Sequence, residues 1–414
     1  MRLCYAAMVI LKNLLILLLL VLSLVSGRAT FQEMTVGSGS RDSSTALAGD
    51  SREMAFVANA VAGTVSVIDI ERRAVVATLD ITPDGRRVAP ARNLSQWYAQ
   101  PKLEAAGGLN YAQDTDLSRD GRVLFVSRGF LGDVAAFDLA TGELIWRAPV
   151  PGLRADHMVL SPDGKTLFVA ATLRGGNKVQ ALDSSTGLRR WDFEAGVWPH
   201  DVQMSADGRR VYAGSLGDMQ KPLQARGEEP GAYRITVADA QDETVLRHLD
   251  MPAGVRPFAV AEEQRRVYAQ LSNAHSVSVF SLEDAALVAS LALPQAQGIS
   301  EADWDFEAPH HGLALAPDRQ KLCVAGRASD YAAVLATAPL SVSAIVPVGD
   351  APSWAALTGD GALCLVANNR SDDVSLVSMD EGRELARIAV GRAPKHITVG
   401  RVPERLFEGA ASGD

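Results

Sequence analysis

Cysteine is nearly missing from this chain, with three in 414 residues, the first of them Cys4. So few exclude a small disulfide-stapled domain and a cysteine-ligated zinc module, and no Cys-x-x-Cys-His occurs to attach haem covalently. Cys323 and Cys364 both lie in apolar strand patterns. They read as two buried free thiols, with oxidation left open to an exported protein if the two face each other. Aromatic residues are few, at 6%, and no uninterrupted apolar run reaches the roughly eighteen residues needed to cross a bilayer. Positive charge is also short: 40 Lys and Arg face 49 Asp and Glu, a net charge of −9, which argues against nucleic acid or an anionic membrane surface as partner. No Gly-x-Ser-x-Gly elbow is present for a serine hydrolase.

What the chain does contain is ordinary for a large globular core, at 47% apolar and 21% charged. Residues 1–29 stand apart. Arg2 and Lys12 precede the apolar run Leu14 to Val25, and Ser26, Gly27 and Ala29 follow, which reads as a signal peptide; a retained anchor is the poorer reading of so short a run. Its removal takes three basic residues and no acid, bringing the net charge to −12. Residues 30–50 read as a flexible arm, 51–405 as the folded body and 406–414 as a tail. The expected location is periplasmic or extracellular, with no membrane span in the mature chain and a monomeric state.

Self-similarity is the strongest signal. "TVSVIDIERRAVVATL" (64–79) recurs as "DVAAFDLATGELIW" (133–146), "KVQALDSSTGLRRW" (178–191) and four later segments, giving seven copies. Alternating or short continuous apolar runs punctuated by Gly, Asp and Ser are strand and turn chemistry, so each unit supplies four short strands. One four-stranded sheet cannot bury both its faces, whereas seven arranged radially can. The expected fold is all-β, a seven-bladed β-propeller. "APKHITVGRVP" (393–403) has the pattern of an innermost strand that the first blade lacks, so it would close the ring.

"FVANAVAGTVSVIDIERRAVVATL", "LSPDGKTLFVAATLRGGNKVQALDSSTG" and "CLVANNRSDDVSLVSMDEGRELARIAVGRAPKHI" resemble the YVTN-type repeats of secreted and periplasmic bacterial propellers, over roughly residues 53–403. That superfamily is also similar to the propellers of amine dehydrogenases and cytochrome cd1 nitrite reductases. The resemblance implies the fold. For function it implies only a range, from lactonases and carriers of haem d1 or quinone cofactors to adhesins and scaffolds.

Spacing between copies exposes three insertions, near 83–109, 216–233 and 289–308. In an up-and-down sheet all three fall at one end of the blades, the end at which the inner strands begin. Trp97, Tyr98 and Trp304 in them are candidates for a lid or for stacking on a ligand.

At that end, aligning the inner strands on their Asp-Gly turns produces two columns. They hold Gln113 and Asp114, Asp156 and His157, His200 and Asp201, His311 and Gly312, Ser353 and Trp354, Lys395 and His396, with Phe258 placed for the fifth blade. Four of the seven histidines fall there. Brought to one axis, His157, His200, His311 and His396 with Asp114, Asp156 and Asp201 would suit a divalent transition metal such as zinc, manganese, iron or copper. Asp114 or Asp201 would then serve as general base. Arg128, Arg174, Arg327 and Arg370, in loops at the same end, would form a cationic rim for a small anionic ligand, with Asp156 and His310 contributing. Metal-dependent hydrolysis or a lyase step fits this set. The competing readings are a structural hydrogen-bond net of His and Asp, and a non-catalytic propeller that binds a partner through its long loops.

Overall fold

A computed structural model of the protein describes residues 50–87, 110–152, 154–172, 177–219, 221 and 223–407. The expected signal peptide, most of the arm, and Trp97, Tyr98 and Arg174 lie outside these residues.

Seven four-stranded antiparallel sheets account for the described strands, β1 to β28 in chain order. Six are built from consecutive strands. The seventh joins the C-terminal strand β28 (Pro394–Pro403) to β1 (Ser51–Asn59), with pairing from Ser51 opposite Pro403 to Ala58 opposite His396. The fold is therefore a seven-bladed β-propeller closed by its C-terminal strand. The other six blades begin with β4 (Asp114–Leu117), β8 (Arg154–Leu160), β12 (Pro199–Met204), β16 (Val255–Ala261), β20 (Leu313–Leu315) and β24 (Pro352–Leu357).

Strand composition follows position within a blade. β9 (Thr166–Thr172, TLFVAAT) is buried at every residue because a neighbouring blade covers each of its faces, whereas the outermost β19 (Leu287–Ala292) is exposed at every second residue or more. Between blades the apolar faces interlock. Phe125, Val134 and Trp146 of the second blade pack on Met158, Leu160 and Leu167 of the third, each such side chain worth about 1.5–3 kcal/mol when fully buried.

The Ser-x-Asp-Gly signature is the turn between the first two strands of a blade. Ser161 Oγ donates to Asp163 and accepts from Thr166 N, while Gly164 takes a left-handed φ of 73°. In the sixth blade Arg319 occupies that left-handed position instead (φ 61°).

One expectation is corrected. Cys323 and Cys364 are joined in a disulfide and are not free thiols. They lie on β21 (Lys321–Gly326) and β25 (Leu363–Asn368), the second strands of adjacent blades, whose facing surfaces share one apolar cluster. The ordered body also runs past 405, since Phe407 is buried against the first blade's core. No helix among the described residues is long and apolar enough to cross a membrane.

Candidate functional site

The entries of several inner strands are where regular pairing breaks. Along β8, β12 and β16 the register to the next strand jumps from Ala155 to Met158, from Pro199 to Val202 and from Val255 to Phe258. The residues skipped are Asp156 and His157, His200 and Asp201, Arg256 and Pro257. A bulge frees residues from the ladder and re-aims their side chains.

The same register corrects the fifth blade. Asp114 Oδ2 accepts from Met158 N at 2.7 Å, and Asp201 Oδ2 accepts from Phe258 N at 3.0 Å. Phe258 is thus the counterpart of Met158, and the column residue is Arg256, two positions earlier. The fifth blade has no Asp-Gly on which to align; Glu263 stands where Asp163 does. These contacts also explain why acids sit at strand entries. The inner edge of an innermost strand has no ladder partner, and an aspartate from the preceding blade supplies one.

The four expected imidazoles do meet. The His157 ring lies 4.7 Å from His200, 5.4 Å from His396 and 6.5 Å from His311, and His200 lies 5.3 Å from His311. Trp354 stacks on His157 at 4.8 Å and lies 4.0 Å from His396. All four histidines are buried, as are Asp114 and Asp156.

Aspartates alternate with them. Asp114 lies 2.7 Å from His396 Nδ1 and 3.3 Å from His157 Nδ1, and Asp156 lies 3.4 Å from His200 Nδ1 and 3.8 Å from His157 Nε2. His200 Nε2 and His311 Nε2 are 3.2 Å apart, and His311 Nδ1 donates to Ser353 O at 2.8 Å. The Nδ1 atoms of His157, His200 and His396 are buried and close to carboxylate oxygens, yet none lies on a hydrogen-bond line with a partner among the described residues. Two overlapping triads result, Asp114–His157–His396 and Asp156–His157–His200, each with its ligand atoms within 4.8 Å of one another.

Charge reinforces the arrangement. Burial would raise Asp114, but His396 and then His157 outweigh it and hold the carboxyl at about 2. Asp156 is likewise held well below the usual range, by Arg154 and His200 against the effect of burial. Burial disfavours charged His157, but Asp114 and Asp156 prevail and raise its proton affinity. Burial pushes His200 down to about 3 against the pull of Asp156, and it holds His311 far below its usual value with help from His200 and Arg256. Both are neutral at pH 7, the form in which imidazole binds a metal.

The remaining predicted residues sit elsewhere or are occupied. Asp201 spends its carboxylate on Phe258 N and on Gln203, 3.2 Å away. Arg128 is not a rim cation. It is fully buried, paired with Asp133 at 2.7 Å and with Asp84 at 3.1 Å, and it donates to Ile81 O, so it braces a loop. Arg327 and Arg370 both grip Asp305 of the third insertion, at 3.0 and 2.9 Å. His310 turns from the four histidines into a second cluster, where its Nε2 is 3.0 Å from Tyr331 Oη and its ring meets His275, itself beside Trp304. Sequence reasoning passed over Arg154, which lies 3.3 Å from Asp156, and Arg256; alignment on the apolar run of β16 would have found the second.

No curated protein matches the chain. Solved structures do. They include the hydrazine synthase of Kuenenia stuttgartiensis (15% identity over 72% of this chain and 96% of that one, TM-score 0.57) and a putative 6-phosphogluconolactonase of Bacteroides fragilis (14%, 84% and 98%, TM-score 0.59). The periplasmic gluconolactonase PpgL of Pseudomonas aeruginosa also matches (19%, 85% and 99%, TM-score 0.59). At these identities the likeness is one of fold. A family model described as outer membrane protein assembly factor BamB matches residues 131–338, half of the chain, and the protein belongs to that family of β-propellers.

Proposed function

We propose that this propeller is exported and that its histidine cluster holds a divalent transition metal at which a small molecule is bound and hydrolysed or cleaved. One observation carries the reading: buried imidazole nitrogens and aspartate oxygens crowd to within 4.8 Å of one another in two triads, the spacing of donor atoms that share a cation. His157 belongs to both triads, and the Nε2 separation of His200 and His311 suits two nitrogens bonded at about 2.0–2.1 Å to one ion.

A bound divalent ion would polarise a carbonyl or lower the pKa of a bound water. Asp114 and Asp156, held ionised, fix the imidazole orientations and supply negative charge. Trp354 covers one side of the cluster and excludes water there. Two of the structural neighbours carry lactonase names, and ring opening of a lactone is a reaction of the class this site suits. Export is supported by the apolar segment 14–25 and by the Cys323–Cys364 bond, which belongs to an oxidising compartment.

The rival reading is a non-catalytic propeller. It is favoured by the framework contacts of Asp114 and Asp201 with neighbouring blades and by the assembly-factor name of the matching family. Metal analysis of protein purified without a polyhistidine tag separates the two. Stoichiometric metal in the wild type, lost in His157→Ala with cooperative unfolding retained, supports the first. Absence of metal after incubation with zinc, manganese, iron and copper supports the second.

A further inference from the structure

The entries of the inner strands carry more positive charge than nearby acids answer. Arg256 is 3% exposed, and it donates to Ser272 Oγ at 2.9 Å and to the Phe306 carbonyl, both neutral. It has no carboxylate within ion-pair distance among the described residues; Glu307, the acid acting on it most, is committed to Arg226. Lys395, half-buried beside His396, has neither a hydrogen bond nor an ion pair among the described residues. Arg154 leans on Asp156 at 3.3 Å, and Arg327 is held by Asp305 and Ser353.

These cations are not remote from one another. Arg256 and Lys395 stand at the entries of their inner strands, as Asp156 does in its blade, skipped by the ladder between Val255 and Phe258 and between Pro394 and His396, and Arg154 lies 3.3 Å from Asp156. Arg256 and Lys395 both weigh on His311. Arg154, Arg256 and Lys395 thus stand at the strand-entry end of the ring with Asp156, at the edge of the imidazole cluster, in a chain whose net charge is −9. Burying a charge without a counter-charge is costly, often by several kcal/mol, so the buried Arg256 guanidinium leaves an electrostatic demand unfilled.

We infer that the mouth of the propeller binds a small oxyanion, a carboxylate or phosphate group, between Arg256 and Lys395 with Arg154 at its side. The set differs from the loop arginines expected from sequence, of which Arg128, Arg327 and Arg370 are spent on aspartates. It gives the small molecule of the proposed function a negative charge, yet the cations are separate residues from the imidazoles, so the site stands without metal. Arg256, whose Nε and Nη2 are held by Ser272 and Phe306, has Nη1 left to donate, and Lys395 supplies a mobile point charge able to follow ligands of different length.

Calorimetric titration of EDTA-treated protein with inorganic phosphate and, separately, with succinate tests this. Saturable binding of at least one is expected, weakened roughly tenfold or more in Lys395→Gln and Arg256→Gln, since a hydrogen bond to a charged group contributes about 1.5–3 kcal/mol. Arg383→Gln, on an exposed outer strand, should bind as wild type. Tighter phosphate binding assigns a phosphorylated ligand, and tighter succinate binding a carboxylate. Lys395 makes no contact whose loss would unfold the protein, so its variant stays informative should Arg256→Gln fold poorly. Failure of both anions to bind, or binding indifferent to Lys395→Gln, overturns the inference. Anion binding by a wild-type protein that takes up no metal would leave it standing while removing the metal reading.

Discussion

His200 and His311 stand 111 positions apart and meet Nε2 to Nε2 at 3.2 Å, with His311 Nδ1 committed to the Ser353 carbonyl. Burial keeps His200 neutral down to about pH 3, whereas an unfolded histidine takes its proton near 6.5. Between those values the unfolded chain binds a proton that the native state refuses, so stability must fall as pH falls. In EDTA-treated protein the wild type should lose on the order of 2 kcal/mol more than His200→Gln between pH 7 and pH 5. Urea midpoints at the two pH values measure it, and parallel losses in both proteins would contradict the buried neutral ring.

Asp114 and Asp156 should separate under conservative substitution. Asp114 accepts from two backbone amides, Thr115 N and Met158 N, as well as facing two histidines, while Asp156 touches only side chains. Asp114→Asn is expected to lower stability by about 1–3 kcal/mol, and Asp156→Asn by clearly less, with both reducing metal retention. Denaturant titration paired with metal analysis after dialysis gives both quantities.

For Asp201 the framework contact predicts a different pattern. Asp201→Ala leaves Phe258 N, on a strand edge with no other partner, unsatisfied and should cost about 1–3 kcal/mol without changing metal stoichiometry. Loss of metal with unchanged stability would instead place this carboxylate in the chemistry.

The Cys323–Cys364 bond closes a loop of 41 residues in sequence separation, which in the chain-entropy treatment is worth about 4 kcal/mol. Cys323→Ala with Cys364→Ala should unfold at lower urea than wild type by that order. Two titratable thiols in denatured, unreduced wild type would show the bond to be absent.

Removal of residues 393–414 takes away β28 and leaves the first blade without its innermost strand. Such a chain should lose cooperative unfolding, and a synthetic peptide of residues 393–407 added in trans should restore part of it, read by near-ultraviolet circular dichroism. A truncated chain as stable as the whole would mean that the ring does not need this lock.

Much of this architecture was legible because a propeller writes itself locally. Strand periodicity, the Ser-x-Asp-Gly turn and a repeat of about forty residues are all short-range, and the closing strand was readable as an unmatched fragment of one repeat. The columns were legible for the same reason in six blades. The fifth failed because its turn lacks Asp-Gly, so Phe258 took the place of Arg256. Partner choices were not legible: Arg128 is spent on Asp133 and Asp84, and Arg327 and Arg370 on Asp305, pairings that depend on how insertions fold back. Nor was the cysteine bond, since adjacency of second strands in neighbouring blades is a tertiary fact.

His396 is carried by the strand that shuts the ring, and it faces Asp114 at the start of the second blade. Six finished blades therefore still leave one of the cluster's triads, Asp114–His157–His396, without a member. A cation held at that triad would need the ring already shut, so its retention would report that the last strand has docked.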